Sequence, residues 1–171
     1  FGIEPGLDER AEAIRRGHKV LDGSVDQIKT DQRFDAITLW DVFEHIPEPN
    51  QFLESVYQLL MPGGVLYMQI PNSSGLAPRI LHERCNMFDG LEHCNLYNPK
   101  TIDEILTANG FSIQAVESVI SEMAVLANYL EYEDPYFGTR SLDGSLLNII
   151  SGDEIHANLL GYKLQLVARR H

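Results

Sequence analysis

Asp41, Glu44 and His45 stand at i, i+3 and i+4 in the stretch LWDVFEHIP. A helical turn that starts at Asp41 carries all three on one face. Two carboxylates and an imidazole suit a divalent cation such as magnesium. His93, in LEHCNLYNP, could supply a fourth ligand. The same residues allow a second chemistry. An imidazole titrates near neutral pH, so His45 or His93 could act as general base toward a hydroxyl. A third reading is structural, with Glu44 and His45 capping and orienting their own loop. Glu4 is a separate candidate. It ends the apolar run Phe1–Ile3 and precedes the turn formers Pro5 and Gly6. An acid at the tip of a parallel strand, followed by a turn and a helix, holds a ribose by its two hydroxyls. The plain alternative is a solvent-facing turn acid. His18, His82, His156 and His171 show no partner pattern, and no nucleophile motif is present.

The elements around these residues alternate. Asp8 is placed to cap a helix that runs to about Arg16. His18–Ser24 reads as a short strand. Phe34–Asp41 reads as a second one, apolar enough to be buried on both faces. A helix spans about Pro49–Met61, with Phe52, Leu53, Val56, Tyr57 and Leu60 on one face, and Pro62-Gly63-Gly64 stops it. Val65–Ile70 is the next buried strand. Asn98 and Pro99 form the cap and first turn of a helix that ends near Gly110. In the closing strand Tyr162–Arg170, residues Tyr162, Leu164, Leu166 and Ala168 share one face, and Lys163, Gln165 and Arg169 share the other. Strands alternating with helices imply an α/β fold with a mostly parallel sheet.

Length and composition set the outer limits. The 171 residues make one domain with a sizeable core, and 44% apolar content places the chain among globular proteins. A formal net charge of −12 argues against nucleic acid or an anionic membrane surface as partner. Cys85 and Cys94 lack a Cys-x-x-Cys spacing and read as reduced thiols, which fits a cytoplasmic location. No apolar run reaches membrane-spanning length. Ser121–Asn158 fits no simple period and reads as an insertion before the last strand. Its Tyr129, Tyr132, Tyr136 and Phe137 either line an acceptor cleft or form a small satellite core.

In order and spacing, FDAITLWDVFEHIPEPNQFLESVYQLLMPGGVLYMQIPN, EHCNLYNPKTIDEILTANGF and GYKLQLVARR resemble the class I S-adenosylmethionine-dependent methyltransferases. The nearest branch is that of ubiquinone-biosynthesis O-methyltransferases and many small-molecule methyltransferases. The resemblance covers nearly the whole chain. It implies a Rossmann-like sheet with one antiparallel strand, Tyr162–Arg170, inserted beside Phe111–Ile120 near the C-terminal edge. It implies S-adenosylmethionine as cofactor and a small-molecule acceptor, with O-methylation as the expected reaction.

The resemblance also assigns roles. It places the ribose hydroxyls on Glu4, the adenine against Ser24 and Val25, and the methionine end near Trp40 and Asp41. For Trp40, core packing is the alternative. It makes His45 and His93 the catalytic candidates, and Asp41, Glu44, His45 and His93 the metal set. Asp41 replaces the first Glu of a Glu-x-x-Glu-His pattern, which shortens that arm. The family's first strand and its Gly-x-Gly loop would precede Phe1, so the sequence reads as a chain truncated at its front, with weakened cofactor binding. Either the strand Phe1–Glu4 then pairs directly with Phe34–Trp40 or the sheet has a hole there, and direct pairing or a substitute strand is the expectation, because buried unpaired backbone is costly. Two other functions remain open: a catalytically impaired binding module with this fold, and an NAD-dependent oxidoreductase, which also carries an acid at its second strand.

Overall fold

The computed structural model describes residues 1–28, 30–88, 90–120 and 151–171. Asp89, most of the insertion read at 121–158, and its four aromatic residues lie outside the described residues. Strand β1 (Gly2–Glu4), helix α1 (Leu7–Arg15) and strand β2 (Val20–Asp22) form the first unit, with β1 parallel to β2. Strand β3 (Phe34–Trp40), helix α2 (Pro49–Leu59) and strand β4 (Leu60–Pro71) form the second, again parallel. Helices α3 (Leu76–Leu81) and α4 (Pro99–Ala108) lead to β5 (Phe111–Val119). Helix α5 (Gly152–Ala157) precedes β6 (Lys163–Arg170). The larger sheet has the order β3-β4-β6-β5, and β6 runs antiparallel to both neighbours. The one inserted antiparallel strand is therefore where the sequence placed it.

One face of this sheet carries the core. Leu66, Met68 and Ile70 of β4 and Leu164, Leu166 and Ala168 of β6 are all buried. They join a single cluster with Phe52, Leu53, Val56 and Leu59 of α2 and Ile102 and Leu106 of α4. The period of 2 along the strands and of 3.6 along the helices supplies these faces. Each fully buried Leu or Met stabilises the fold by about 1.5–3 kcal/mol. Helix α4 starts where Asn98 predicts, because the Asn98 side chain accepts from the backbone N–H groups of Lys100 and Thr101 at 2.9 and 3.0 Å. No helix among the described residues is long and apolar enough to cross a membrane. Cys85 is buried, Cys94 is exposed, and neither is in a disulfide.

The structure departs from the sequence reading at four places. Gly6 rather than Asp8 occupies the N-cap of α1, and Asp8 lies in the first turn, where its charge favours the helix dipole. Helix α2 ends at Leu59 because Leu60 is already extended and pairs with Phe34. The Pro62-Gly63-Gly64 segment is then absorbed inside β4 as an irregularity, with Gly63 at φ +76°. Strand β3 is not buried on both faces, since most of its residues are partly or fully exposed and Trp40 is 53% exposed. Finally, β1 pairs with β2 alone and makes no ladder with β3. A cavity of about 410 Å³ separates the two sheets, with Ile3, Leu21, Ala36 and Leu39 among its walls. The expected pairing assumed that the edge of β3 was buried. Most residues of β3 are partly or fully exposed, so water in the cavity can satisfy backbone groups that no strand pairs.

Candidate active site

The acidic and imidazole residues are assembled at the end of β3. Asp41 follows the strand in a left-handed conformation, with φ 51°. That kink directs the chain into a single 3-10 turn, Phe43–His45. Phe43 is fully buried, stacks on Tyr97 at 5.0 Å, and anchors the turn in the core. Glu44 and His45 follow directly. The expected helical face from Asp41 is thus a left-handed residue plus a tight turn, with a different consequence for each member.

A second segment closes over this turn. Asn95 N donates to the Glu44 carbonyl at 3.0 Å, and Asn95 Nδ2 donates to the Ile46 carbonyl at 2.7 Å. These bonds bring His93 against His45, with ring centroids 5.0 Å apart. His45 Nδ1 donates to the Glu92 carbonyl at 2.8 Å, and His93 Nδ1 donates to the Met87 carbonyl at 3.0 Å. A carbonyl only accepts, so each neutral ring carries its proton on Nδ1 and its lone pair on Nε2. His45 Nε2 lies 4.0 Å from Glu44 Oε1. Glu44 is 1% exposed, and its Oε2 has no hydrogen-bond partner among the described residues. Burial raises its pKa above the usual carboxylate value, and the nearby Asp41 charge adds to the effect. Its own backbone N–H and the two histidines oppose the shift. Tyr97 is also buried, its hydroxyl has no hydrogen-bond partner among the described residues, and burial with the Glu44 charge pushes its pKa up to about 12.

Glu44, His45 and His93 each offer one donor atom, and these atoms lie within 4.8 Å of one another. Asp41 does not join them. Its Oδ2 is ion-paired with the Lys163 ammonium and accepts from Gln69 Nε2 at 3.1 Å. Among the described residues the compact donor group is thus Glu44, His45 and His93, while Asp41 lines the same cavity with its Oδ1 buried and without a hydrogen-bond partner. The group lines a cavity of about 370 Å³, together with Asp41, Pro71, Asn86, Glu92 and Lys163. A buried carboxylate oxygen without a hydrogen-bond partner beside two imidazoles whose Nδ1 atoms are fixed by backbone is a donor set that could hold a cation.

The cofactor candidates are spread along neighbouring strand ends. Glu4 ends β1, and its Oε1 accepts from Gly6 N at 2.8 Å, so the carboxylate is bent back over the Pro5-Gly6 turn. Ser24 and Val25 follow β2 and line the larger cavity, which Val42 and Ile46 reach from beyond β3. Its wall is mostly apolar. Trp40 does not enter that cavity and lies instead against Tyr67, 5.0 Å away. The sequence reading missed Lys163, Gln69, Asn86, Glu92 and Tyr97. Lys163 was assigned only to an outer strand face. Its position one residue into the last strand, after a buried Tyr162, was the sole hint that it lies at the strand-end rim.

Comparison with known proteins agrees with this layout. A family model described as a methyltransferase domain matches residues 2–116. The ubiquinone biosynthesis O-methyltransferase of Homo sapiens mitochondria is 28% identical over 126 residues, which are 69% of this chain and 32% of that protein. The Salmonella arizonae enzyme of the same name is 30% identical over 79 residues, 44% of this chain and 33% of that protein. The chain thus spans about a third of the length of these curated relatives. Among solved structures, a SAM-dependent methyltransferase from Thermotoga maritima superposes with a TM-score of 0.67 at 14% identity, covering 99% of this chain and 72% of that one. The [4+2]-cyclase SpnF superposes with a TM-score of 0.61 at 18% identity, covering 99% of this chain and 64% of that one. These structural likenesses establish the fold alone, and the cyclase shows that the fold does not fix the reaction. On its sequence match and its fold, the chain belongs to the methyltransferase-domain family, with the Rossmann-like α/β fold of class I S-adenosylmethionine-dependent methyltransferases.

Proposed function

We propose that this chain carries the transfer site of an S-adenosylmethionine-dependent O-methyltransferase acting on a hydroxyl of a small molecule. The observation that supports it is the pair of histidines at the end of β3, each with Nδ1 bonded to a carbonyl and its lone pair on Nε2. The names of the curated relatives point to the same atom type as acceptor. When bound, S-adenosylmethionine supplies a methyl group on a sulfonium, already electrophilic. The protein then has two tasks, to align the acceptor oxygen and to take its proton. Nε2 of His45 or His93 takes that proton, and the carbonyls of Glu92 and Met87 hold each ring in orientation. Glu44 lies close enough to stabilise the imidazolium that forms. Glu4, Ser24, Val25 and Asp41 remain the cofactor-side residues of this proposal.

A second reading rests on the orphaned Glu44 Oε2. Glu44, His45 and His93 would hold a divalent cation such as magnesium, which would lower the pKa of a bound acceptor hydroxyl. Incubating the intact protein with S-adenosylmethionine and a panel of small phenolic and sugar hydroxyl compounds tests both readings. Hydroxyl-dependent release of S-adenosylhomocysteine is expected. Loss of that release with chelator favours the cation, and persistence favours the histidine base. Turnover confined to amine acceptors would overturn the proposal.

A further inference from the structure

Lys163 is the buried charge that the proposed transfer chemistry leaves unused. It is 5% exposed and lies at the start of β6. Its ammonium is ion-paired with Asp41, 122 residues earlier in the chain. Asp41 follows β3 and Lys163 opens β6, strands that are not neighbours in the order β3-β4-β6, so the pair spans the end of β4, roughly 10 Å at the usual strand spacing. A buried ammonium persists only with a counter-charge and hydrogen bonds to match. Among the described residues one such counter-charge is Asp41, the residue that turns the chain toward the site.

Asp41 is fixed from three sides. Its backbone N–H donates to the Gln69 carbonyl at 3.0 Å, and its Oδ2 receives both Lys163 and Gln69 Nε2. Gln69 is held in turn, since its Oε1 accepts from Gln165 Nε2 at 2.7 Å, and Gln165 Oε1 accepts from Tyr67 at 2.7 Å. This polar row runs over β4 and β6 and ends on Asp41. A non-glycine residue at φ 51° is held there by its surroundings rather than by preference. Four residues further on stands His45.

We propose that Lys163 is a positioning residue: by clamping the Asp41 carboxylate across the end of β4, it fixes the left-handed turn from which Glu44 and His45 are presented to His93. This rests on the transfer site proposed above, but its test does not. The experiment reads the imidazole ring-nitrogen signals of His45 and His93 by ¹⁵N NMR in the intact protein, beside turnover and thermal melting, for Lys163→Met and Lys163→Arg. In Lys163→Met both sets of signals are expected to move away from the Nδ1–H pattern, with turnover lower by about 10²-fold, the cost of a misplacement near 1 Å. Lys163→Arg, which keeps charge and reach, should return signals and turnover toward wild type. If Lys163→Met lowers only the melting temperature and leaves the signals in place, the lysine is merely structural and the proposal is overturned. Where Lys163→Met fails to fold, Asp41→Asn serves instead, because Asn tolerates the left-handed region. The same displacement is expected there, and unchanged signals overturn the proposal. Absence of methyl transfer in every form would overturn the proposed function. Displaced signals restored by Lys163→Arg would still support the positioning role.

Discussion

The two sheets are built to different standards. In the four-stranded sheet, β4 and β6 share seven paired positions and bury a continuous apolar face under α2 and α4. In the two-stranded sheet, β1 and β2 are three residues each, pair at three positions, and contain no fully buried residue. The histidine–glutamate corner belongs to the first sheet and Glu4 to the second. The transfer corner is therefore fixed by the main core, whereas the cofactor-side acid depends on a small unit beside an open cavity.

Substitutions on the two sides should differ most in stability. Leu53→Ala removes a fully buried side chain from the main cluster and is expected to cost about 2–5 kcal/mol. Ile3→Ala, on a partly buried strand, should cost less than half as much. Urea unfolding measures both, and equal losses would erase the distinction. Next in size is Gly110→Ala. Gly110 has φ +84°, and an added Cβ would meet Tyr57 Cε2 at 2.8 Å. A loss of at least about 1 kcal/mol is expected from the backbone alone, with the clash adding to it.

Affinity should show the same asymmetry. The 171-residue chain by itself is expected to bind S-adenosylhomocysteine weakly, because β1 and β3 are not joined across the cavity. Micromolar affinity by calorimetry would show that the small unit holds its residues better than its pairing suggests. The smallest effect expected concerns α5. Its Ser151–Glu154 capping box holds the Glu154 carboxyl below the usual range through hydrogen bonds from Ser151. A depressed carboxylate pKa stabilises the fold above its unfolded value, and this contribution fades as pH falls through the folded one. Ser151→Ala should therefore lower stability slightly more at neutral pH than near pH 2, where the carboxyl is protonated in both states and only the lost Ser151 Oγ acceptor for the Glu154 N–H remains as a cost.

The difference between the sheets also explains what was legible in the sequence. The alternation of Tyr162, Leu164, Leu166 and Ala168 and the Asn98-Pro99 helix start are local patterns, and both appear in the structure as read. Glu44, His45 and His93 could be named from residue type because their chemistry is unusual. Their convergence depends on Asn95 fastening one segment to another 49 residues away, which no local period encodes. Lys163 was hidden for the same reason: a lysine on an alternating strand reads as solvent-facing until the partner across β4 is known. The gap between β1 and β3 is the alternative the sequence reading does not favour, because local pattern gives the polarity of a strand but not the solvent exposure of its edge.

The central claim is that His45 and His93 at the end of β3 take the acceptor proton. The most direct test is the single-turnover rate of methyl transfer from bound S-adenosylmethionine in the intact protein carrying His45→Ala and His93→Ala together. The account predicts a rate lower by on the order of 10²-fold with cofactor affinity unchanged. An unchanged rate at unchanged affinity would contradict it and leave the cluster a structural clasp between two loops.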